Sequence, residues 1–182
     1  DIKAIAETVK SVCPQALLHL DATQGFGKIP ADLSVADLIS VSAHKFHGPK
    51  GIGALFIKKG VSVNCVEHGG GQQNGLRSGT INAPMIAALG KTCELTDVFS
   101  TNRVLKERQR YLYGALEKTF GSDVINSRIF ESDYAPHILS ISFPSLKGEV
   151  LLHMLESSDI YVSTSSACSS HKKIKSVLAN LG

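Results

Sequence analysis

Residues 38–51 have the sequence LISVSAHKFHGPKG, in which an apolar run gives way to polar residues and then to a glycine-proline turn. The run 38–41 has the length and composition of a buried strand, and the polar tip SAHK follows it at 42–45. The segment 48–51 has turn chemistry, and another apolar run occupies 52–57. We therefore predict two strands with a polar strand end and a turn between them.

A second polar strand end is predicted upstream. Residues 16–20 form a short, mostly apolar run that stops at Asp21, and Gln24 follows in the same polar segment. Open α/β sheets bind ligands at the carboxyl ends of their strands. Either strand end alone is more simply a polar loop, but the two together predict a ligand site at one edge of a sheet.

The rest of the chain alternates between helical and extended patterns. Helical spacing predicts helices over residues 2–12, 83–95, 105–120 and 148–155, with a last helix ending at Leu181. Alternation and short apolar runs predict strands over 138–143 and 160–162, and the glycine-rich stretch 60–80 is expected to be irregular. These patterns predict an α/β fold of two compact units joined by long helices.

Composition excludes several classes of protein. Hydrophobic residues make up 43% and charged residues 19% of the 182 residues, which is ordinary for a globular protein. No apolar run approaches the roughly 20 residues that cross a bilayer, so no membrane contact is expected. The net charge of +3 is mild, and no nucleic-acid partner is expected.

The four cysteines lie far apart in the sequence, at Cys13, Cys65, Cys93 and Cys168. They lack the close spacing of a zinc site and have no secretory context, which indicates a protein of the cytoplasm or another reducing compartment. Cys168 lies in a run of Ser, Thr and Ala and is expected to be exposed, whereas the other three are expected to be packed. His44 and His47 have the spacing of a metal pair without further ligands nearby, so no metal site is predicted.

The stretch 42–51 resembles the cofactor-lysine segment of the class V aminotransferases, which are pyridoxal-phosphate (PLP) enzymes of fold type I. More narrowly, it resembles the NifS-like cysteine desulfurases. Further matching motifs occur in the family's order: Asp21-Ala22-Thr23-Gln24, His68-Gly69-Gly70-Gly71-Gln72, Gly75-Leu76-Arg77-Ser78-Gly79-Thr80 and Ser165-Ser166-Ala167-Cys168-Ser169-Ser170. The chain departs from the family at Gln73, Asn74 and Ile81.

The resemblance implies catalytic roles for two residues. Lys45 would form the covalent bond to PLP, because a lysine amine can hold the aldehyde of the cofactor. Cys168 would attack the sulfur of L-cysteine and take it as a persulfide, with release of L-alanine. The sulfur would then pass to an acceptor, such as an iron–sulfur scaffold protein.

The resemblance also implies how PLP is held. Asp21 would face the ring nitrogen, where a carboxylate keeps the nitrogen protonated. Gln24 would bind the ring hydroxyl, and Ser42 and His44 would bind the phosphate. Thr80 would reach the phosphate of a neighbouring subunit, which implies a homodimer.

By the same resemblance, residues 1–98 are the later part of the PLP-binding large domain, and 99–182 are an incomplete small α/β domain. The chain would begin about halfway along the family's sequence, so an N-terminal half would be missing. A substrate-binding arginine would also be missing, because the last arginine is Arg128. We therefore expect the chain alone to be inactive. Three alternatives stay open: a selenocysteine lyase, another class V lyase, and a truncated relative without catalysis.

Overall fold

A computed structural model describes residues 1–127 and 134–164. The described residues form two compact units. The first lies within Asp1–Leu112 and Arg128–Ile138, and the second within Tyr113–Ser127 and Leu139–Gly182. Helices and a small sheet are both present, so the predicted α/β class is confirmed. The predicted domain boundary after residue 98 stays a prediction.

The first unit contains a three-stranded sheet in the order β1-β2-β3. Its strands are β1 (His19–Asp21), β2 (Leu38–Ser42) and β3 (Gly53–Ile57). β1 and β2 are parallel, and β3 is antiparallel to β2. The predicted strand over 16–20 was wrong in its bounds. The N–H of Leu18 donates to the Asp37 carboxylate rather than to a strand partner, and pairing begins one residue later.

One face of this sheet is apolar. Ile39 is buried together with Ala22 and Ala36, and four half-buried side chains pack against them: Leu20, Phe26, Leu33 and Val41. Side chains alternate between the faces of a strand, so the residues between these apolar positions face the other side. The opposite face has polar residues on β1 and at the end of β2, namely His19, Asp21, Ser40 and Ser42, beside the apolar Leu38, Leu55 and Ile57.

Three helices begin in the first unit: α1 (Ile2–Val12), α2 (Ala83–Leu95) and α3 (Val98–Phe120). α1 and α2 confirm the predicted helices, but α3 begins seven residues before the predicted start. The Asp97 carboxylate accepts hydrogen bonds from the N–H groups of Phe99 and Ser100, and such a cap starts a helix regardless of apolar spacing.

The second unit contains α4, Gly148–Glu156, which confirms a predicted helix. The strand predicted over 138–143 was wrong. Its backbone makes only two hydrogen bonds to the segment 124–126 around an isolated bridge, too few for a strand. The strand predicted over 160–162 is also absent, because the Ile160 N–H still bonds to Leu155 in the turn that ends α4. The predicted last helix lies outside the described residues.

Within residues 1–127 and 134–164, no helix is both long enough and apolar enough to span a membrane.

Candidate active site

The carboxyl ends of β1 and β2 form one edge of the sheet. Asp21 lies opposite Ser40, and β2 continues for two residues to Ser42. Neighbouring strands lie about 4.8 Å apart and each residue advances about 3.3 Å, so the backbones of Asp21 and Ser42 are about 8 Å apart. The structure thus brings the two polar strand ends together.

A short 3-10 helix, Ala43–Phe46, carries His44 and Lys45 away from the end of β2. Ala43 and Phe46 are buried, with 0% and 2% of their surface exposed. The intervening His44 is exposed and Lys45 is half-buried. Two buried anchors therefore hold the lysine next to the sheet edge.

A glycine closes this short helix. The N–H of Gly48 donates to the Ala43 carbonyl at 2.9 Å, after His47 has taken the left-handed conformation with φ of 70°. A Cβ atom at position 48 would lie 2.8 Å from the Ala43 Cβ. Only glycine therefore allows the chain to turn this tightly behind Lys45.

Ser42 and His44, the two residues predicted to bind phosphate, contact each other. The Ser42 Oγ and His44 Nδ1 atoms are joined by a hydrogen bond of 3.0 Å. This bond orients the imidazole and leaves its Nε2 atom for a different partner. In either tautomer of the neutral imidazole the pair keeps one free donor, the Ser42 hydroxyl or the His44 Nε2–H, which can bind a phosphate oxygen.

Asp21 is exposed, and its carboxylate accepts a hydrogen bond from the Thr23 N–H at 3.0 Å. Hydrogen bonds from Thr23 are the main cause that lowers the pKa of Asp21, and the charge of His19 adds to it. Asp21 is therefore a carboxylate at neutral pH. Gln24 is exposed in the turn that follows, where its backbone carbonyl accepts from Lys28 Nζ at 3.2 Å.

Two residues that the sequence analysis missed support this turn. Burial lowers the pKa of Lys28, and the charge of Lys45 acts in the same direction. Asn102, which is buried in α3, donates to the Lys28 carbonyl at 2.9 Å. No periodicity in the sequence marks either residue. The signals that could have indicated them were the position of Lys28 in a glycine-containing turn and the position of the Asn102 amide inside a predominantly polar helix.

A third missed residue is His137. Both of its ring nitrogens are buried without a hydrogen-bond partner in the described part of the chain. Burial lowers the pKa of His137, and the charge of Lys28 lowers it further. The backbone next to it is held by Gln109 of α3, whose Nε2 donates to the Ile138 carbonyl at 2.7 Å. His137 is therefore a neutral imidazole near Lys28.

Thr80 lies in an exposed loop before α2. The loop is braced by the Gln72 side chain, which accepts from the Gly79 N–H at 3.1 Å, and by an ion pair of Glu67 with Arg77 at 3.6 Å. No hydrogen bond in the described residues joins Thr80 to the sheet edge. Its predicted role across a dimer stays a prediction.

Cys168 lies outside the described residues. The other cysteines differ from the expectation that they are packed: Cys13 and Cys93 are exposed, and Cys65 is half-buried with its thiol donating to the Glu67 carbonyl at 3.0 Å. Cys13 follows the last turn of α1 and Cys93 lies on the open side of α2, so helical position alone did not indicate burial.

Across residues 1–127 and 134–164, no three His, Cys, Asp or Glu side chains are grouped so that they could hold a metal ion.

The chain is similar to known proteins over nearly its whole length. Residues 1–179 match the family profile described as aminotransferase class-V. A cysteine desulfurase IscS of Methanosarcina thermophila is 40% identical over 93% of this chain and 42% of its own length. A solved NifS-like protein is 37% identical with a TM-score of 0.75, covering 88% of this chain and 44% of that one. The structure of SspA in complex with cysteine is 25% identical with a TM-score of 0.68, covering 98% of this chain and 49% of that one.

These comparisons confirm the predicted resemblance to NifS-like cysteine desulfurases and the fold of that group. The chain spans less than half the length of the curated relatives it matches, at 45% and 42% for two of them.

Proposed function

The chain belongs to the class-V aminotransferase family, and from that premise we propose that its protein is a PLP-dependent cysteine desulfurase. It would remove sulfur from L-cysteine, hold it on Cys168 as a persulfide and release L-alanine. The observation that carries this proposal is the sheet edge, where Asp21 and the segment 42–45 lie together at the ends of two parallel strands. Relatives named cysteine desulfurase and a neighbour solved with cysteine support L-cysteine as the proposed substrate.

The donor set at the sheet edge fits PLP. Lys45 provides an amine for the aldehyde carbon, Asp21 a carboxylate for the ring nitrogen, and Gln24 an amide for the ring hydroxyl. Ser42 and His44 provide the phosphate ligands, with Thr80 of a second subunit in a homodimer. When bound, PLP withdraws electrons from the substrate through its protonated ring nitrogen.

Asp21 is suited to keep that nitrogen protonated. Its pKa lies below the usual range because of its hydrogen bonds with Thr23, so the carboxylate stays charged over the working pH range. A charge-assisted hydrogen bond of this kind contributes about 1.5–3 kcal/mol. Because the Thr23 bond to its Oδ1 is local, Asp21 keeps an oxygen for the cofactor.

The proposed sulfur transfer needs a thiolate. Cys168 would lose its proton, and its sulfur would attack the sulfur of bound cysteine, forming an S–S bond while the carbon–sulfur bond of the substrate breaks. The carbon would keep the bonding electron pair and take up a proton to become alanine. A free thiol is only a few per cent ionised at neutral pH, so a neighbouring base would raise the rate. An acceptor such as an iron–sulfur scaffold protein would then remove the sulfur.

The test uses the full-length protein that contains this chain, loaded with PLP. We expect a visible absorbance band that borohydride removes, and release of alanine from cysteine. Lys45→Ala should lose both the borohydride-stable adduct and turnover. Cys168→Ser should keep PLP and cysteine binding but form no persulfide and little alanine, whereas the control Cys13→Ser at another exposed thiol should behave as wild type.

Three results would contradict the proposal. Covalent PLP in Lys45→Ala would remove that lysine from its role. Normal alanine release by Cys168→Ser would remove the nucleophile, and activity with selenocysteine alone would move the assignment to a selenocysteine lyase.

A further inference from the structure

Asp21 lies between two contacts to the same residue of β2. Its Cα partner in the sheet is Ser40. On one side, the His19 Nε2 and Ser40 Oγ atoms are joined by a hydrogen bond of 2.7 Å. On the other side, the Ala22 N–H donates to the Ser40 carbonyl at 2.9 Å. His19, two residues before Asp21, and Ala22, directly after it, are thus both tied to Ser40.

The bond between His19 and Ser40 lies on the face of the sheet opposite the apolar cluster around Ile39. Residues two apart on a strand face the same side, and directly paired residues of neighbouring strands do so as well. His19, Asp21 and Ser40 therefore share a face, opposite the buried Ile39. His19 is exposed, so this bond does not belong to the apolar core.

Position matters here because β1 is short. Only three residues pair, from His19 to Asp21, and a shift of one residue would turn Asp21 to the opposite face. A side-chain bond two residues before Asp21 resists both such a shift and fraying of the strand end. The charge of His19 also favours the ionised form of Asp21, since it lowers the pKa of that carboxyl after the larger effect of Thr23.

We propose that His19 is a positioning residue, whose hydrogen bond to Ser40 holds Asp21 in the place where it meets the ring nitrogen of PLP. This inference rests on the proposed function for the cofactor, but it does not depend on which substrate the protein uses. His19 acts through Asp21 and does not contact the reacting atoms.

The test compares four variants of the full-length protein. His19→Gln can place its amide nitrogen near the position of Nε2 and keep the bond without the charge, whereas His19→Asn is too short to reach Ser40. Ser40→Ala removes the other partner. His153→Asn, at an exposed histidine of α4, is the matched control. The readouts are the dissociation constant of PLP, its visible absorbance spectrum, and urea unfolding of the PLP-free protein.

We expect His19→Asn and Ser40→Ala to weaken PLP binding by about threefold to tenfold, the range of one hydrogen bond, and to change the PLP spectrum in the same way. The PLP dissociation constant of His19→Gln should stay within about twofold of wild type, because this variant keeps the hydrogen bond. The control should match wild type in all three readouts.

Wild-type PLP affinity and spectrum in His19→Asn would overturn the inference, even if unfolding changed. Equal losses of PLP affinity in His19→Gln and His19→Asn would also overturn the inference, because they would show that the charge of His19, and not its hydrogen bond, is the cause. A wild-type protein that binds PLP but releases no alanine would contradict the desulfurase proposal alone, whereas one that binds no PLP would overturn both.

Discussion

Asp37 lies just before β2 and Asp21 at the end of β1, so the two carboxylates flank the same pair of parallel strands from opposite ends. Asp37 is 6% exposed and accepts from the Leu18 N–H at 2.9 Å and from Lys10 Nζ at 3.1 Å, with Lys58 Nζ at 3.7 Å. Asp21 is exposed and accepts from Thr23. One carboxylate is saturated by the fold, and the other is left available.

This difference explains how a small sheet can present a reactive edge. Asp37 contacts residues of α1, of the segment entering β1 and of the segment leaving β3, so it joins three elements at the end remote from the site. With that end held, the opposite end can carry polar groups whose hydrogen-bonding capacity is unused. The comparison predicts that Asp37 serves stability and Asp21 serves ligand binding.

The largest effect should come from exchanging each aspartate for asparagine. Asp37→Asn removes the charge that two lysines face, and a buried group that loses its partner is costly, so the free energy of unfolding should fall clearly. Asp21→Asn should leave unfolding nearly unchanged and weaken PLP binding by at least tenfold, since a charge-assisted hydrogen bond is lost. Urea unfolding of the PLP-free, full-length protein and PLP titration measure the two effects. If one of the two variants showed the larger loss in both unfolding free energy and PLP affinity, the division of roles between Asp37 and Asp21 would be wrong.

Acid should affect the Asp37 end in a definite direction. The pKa of Asp37 is lowered by the Leu18 hydrogen bond first and by Lys10 next. A carboxyl whose folded pKa is below the unfolded value of about 3.9 adds stability above that pH and loses it as the pH falls through the folded pKa. We expect the urea concentration at the unfolding midpoint to decrease as the pH is lowered below about 4, and to decrease less in Asp37→Asn. Parallel pH profiles for the two proteins would show that Asp37 is not the group responsible.

A neutral buried amide should give a smaller effect than Asp37. Gln109 is 7% exposed and its Nε2 donates to the carbonyls of Ala135 and Ile138. Gln109→Ala leaves both carbonyls without this donor, which should cost about 1–3 kcal/mol in unfolding free energy. Arg110→Ala, one residue further along α3 and exposed, is the control and should stay within about 0.5 kcal/mol of wild type. Equal unfolding curves for the two variants would contradict a stabilising role for Gln109.

The two ends of the strand pair also differ in how far sequence could predict them. Apolar runs that stop abruptly indicated the strand ends at Asp21 and Ser42, and the motif around Lys45 indicated the family. Asp37 was missed because its partner Lys10 lies 27 residues away, and no local pattern marks such a contact. The strand predicted over 138–143 shows the opposite case: the local alternation was present, but among the described residues it pairs only through an isolated bridge between Ile125 and Ile141.

The smallest effect should separate the two lysines that face Asp37. Lys10 Nζ is 3.1 Å from the carboxylate and also donates to the Ala16 carbonyl, whereas Lys58 Nζ is 3.7 Å away on a side chain that is 52% exposed. Exposed ion pairs contribute little and are screened by salt. Lys58→Met should therefore change the unfolding free energy by no more than about 0.5 kcal/mol, and Lys10→Met should cost more because a backbone carbonyl also loses its donor. Urea unfolding at low and high salt measures both, and the Lys10 effect should persist at high salt because its carbonyl bond is not screened. If Lys58→Met lowered the unfolding free energy more than Lys10→Met did, and only at low salt, then charge alone rather than hydrogen bonding would stabilise the Asp37 carboxylate.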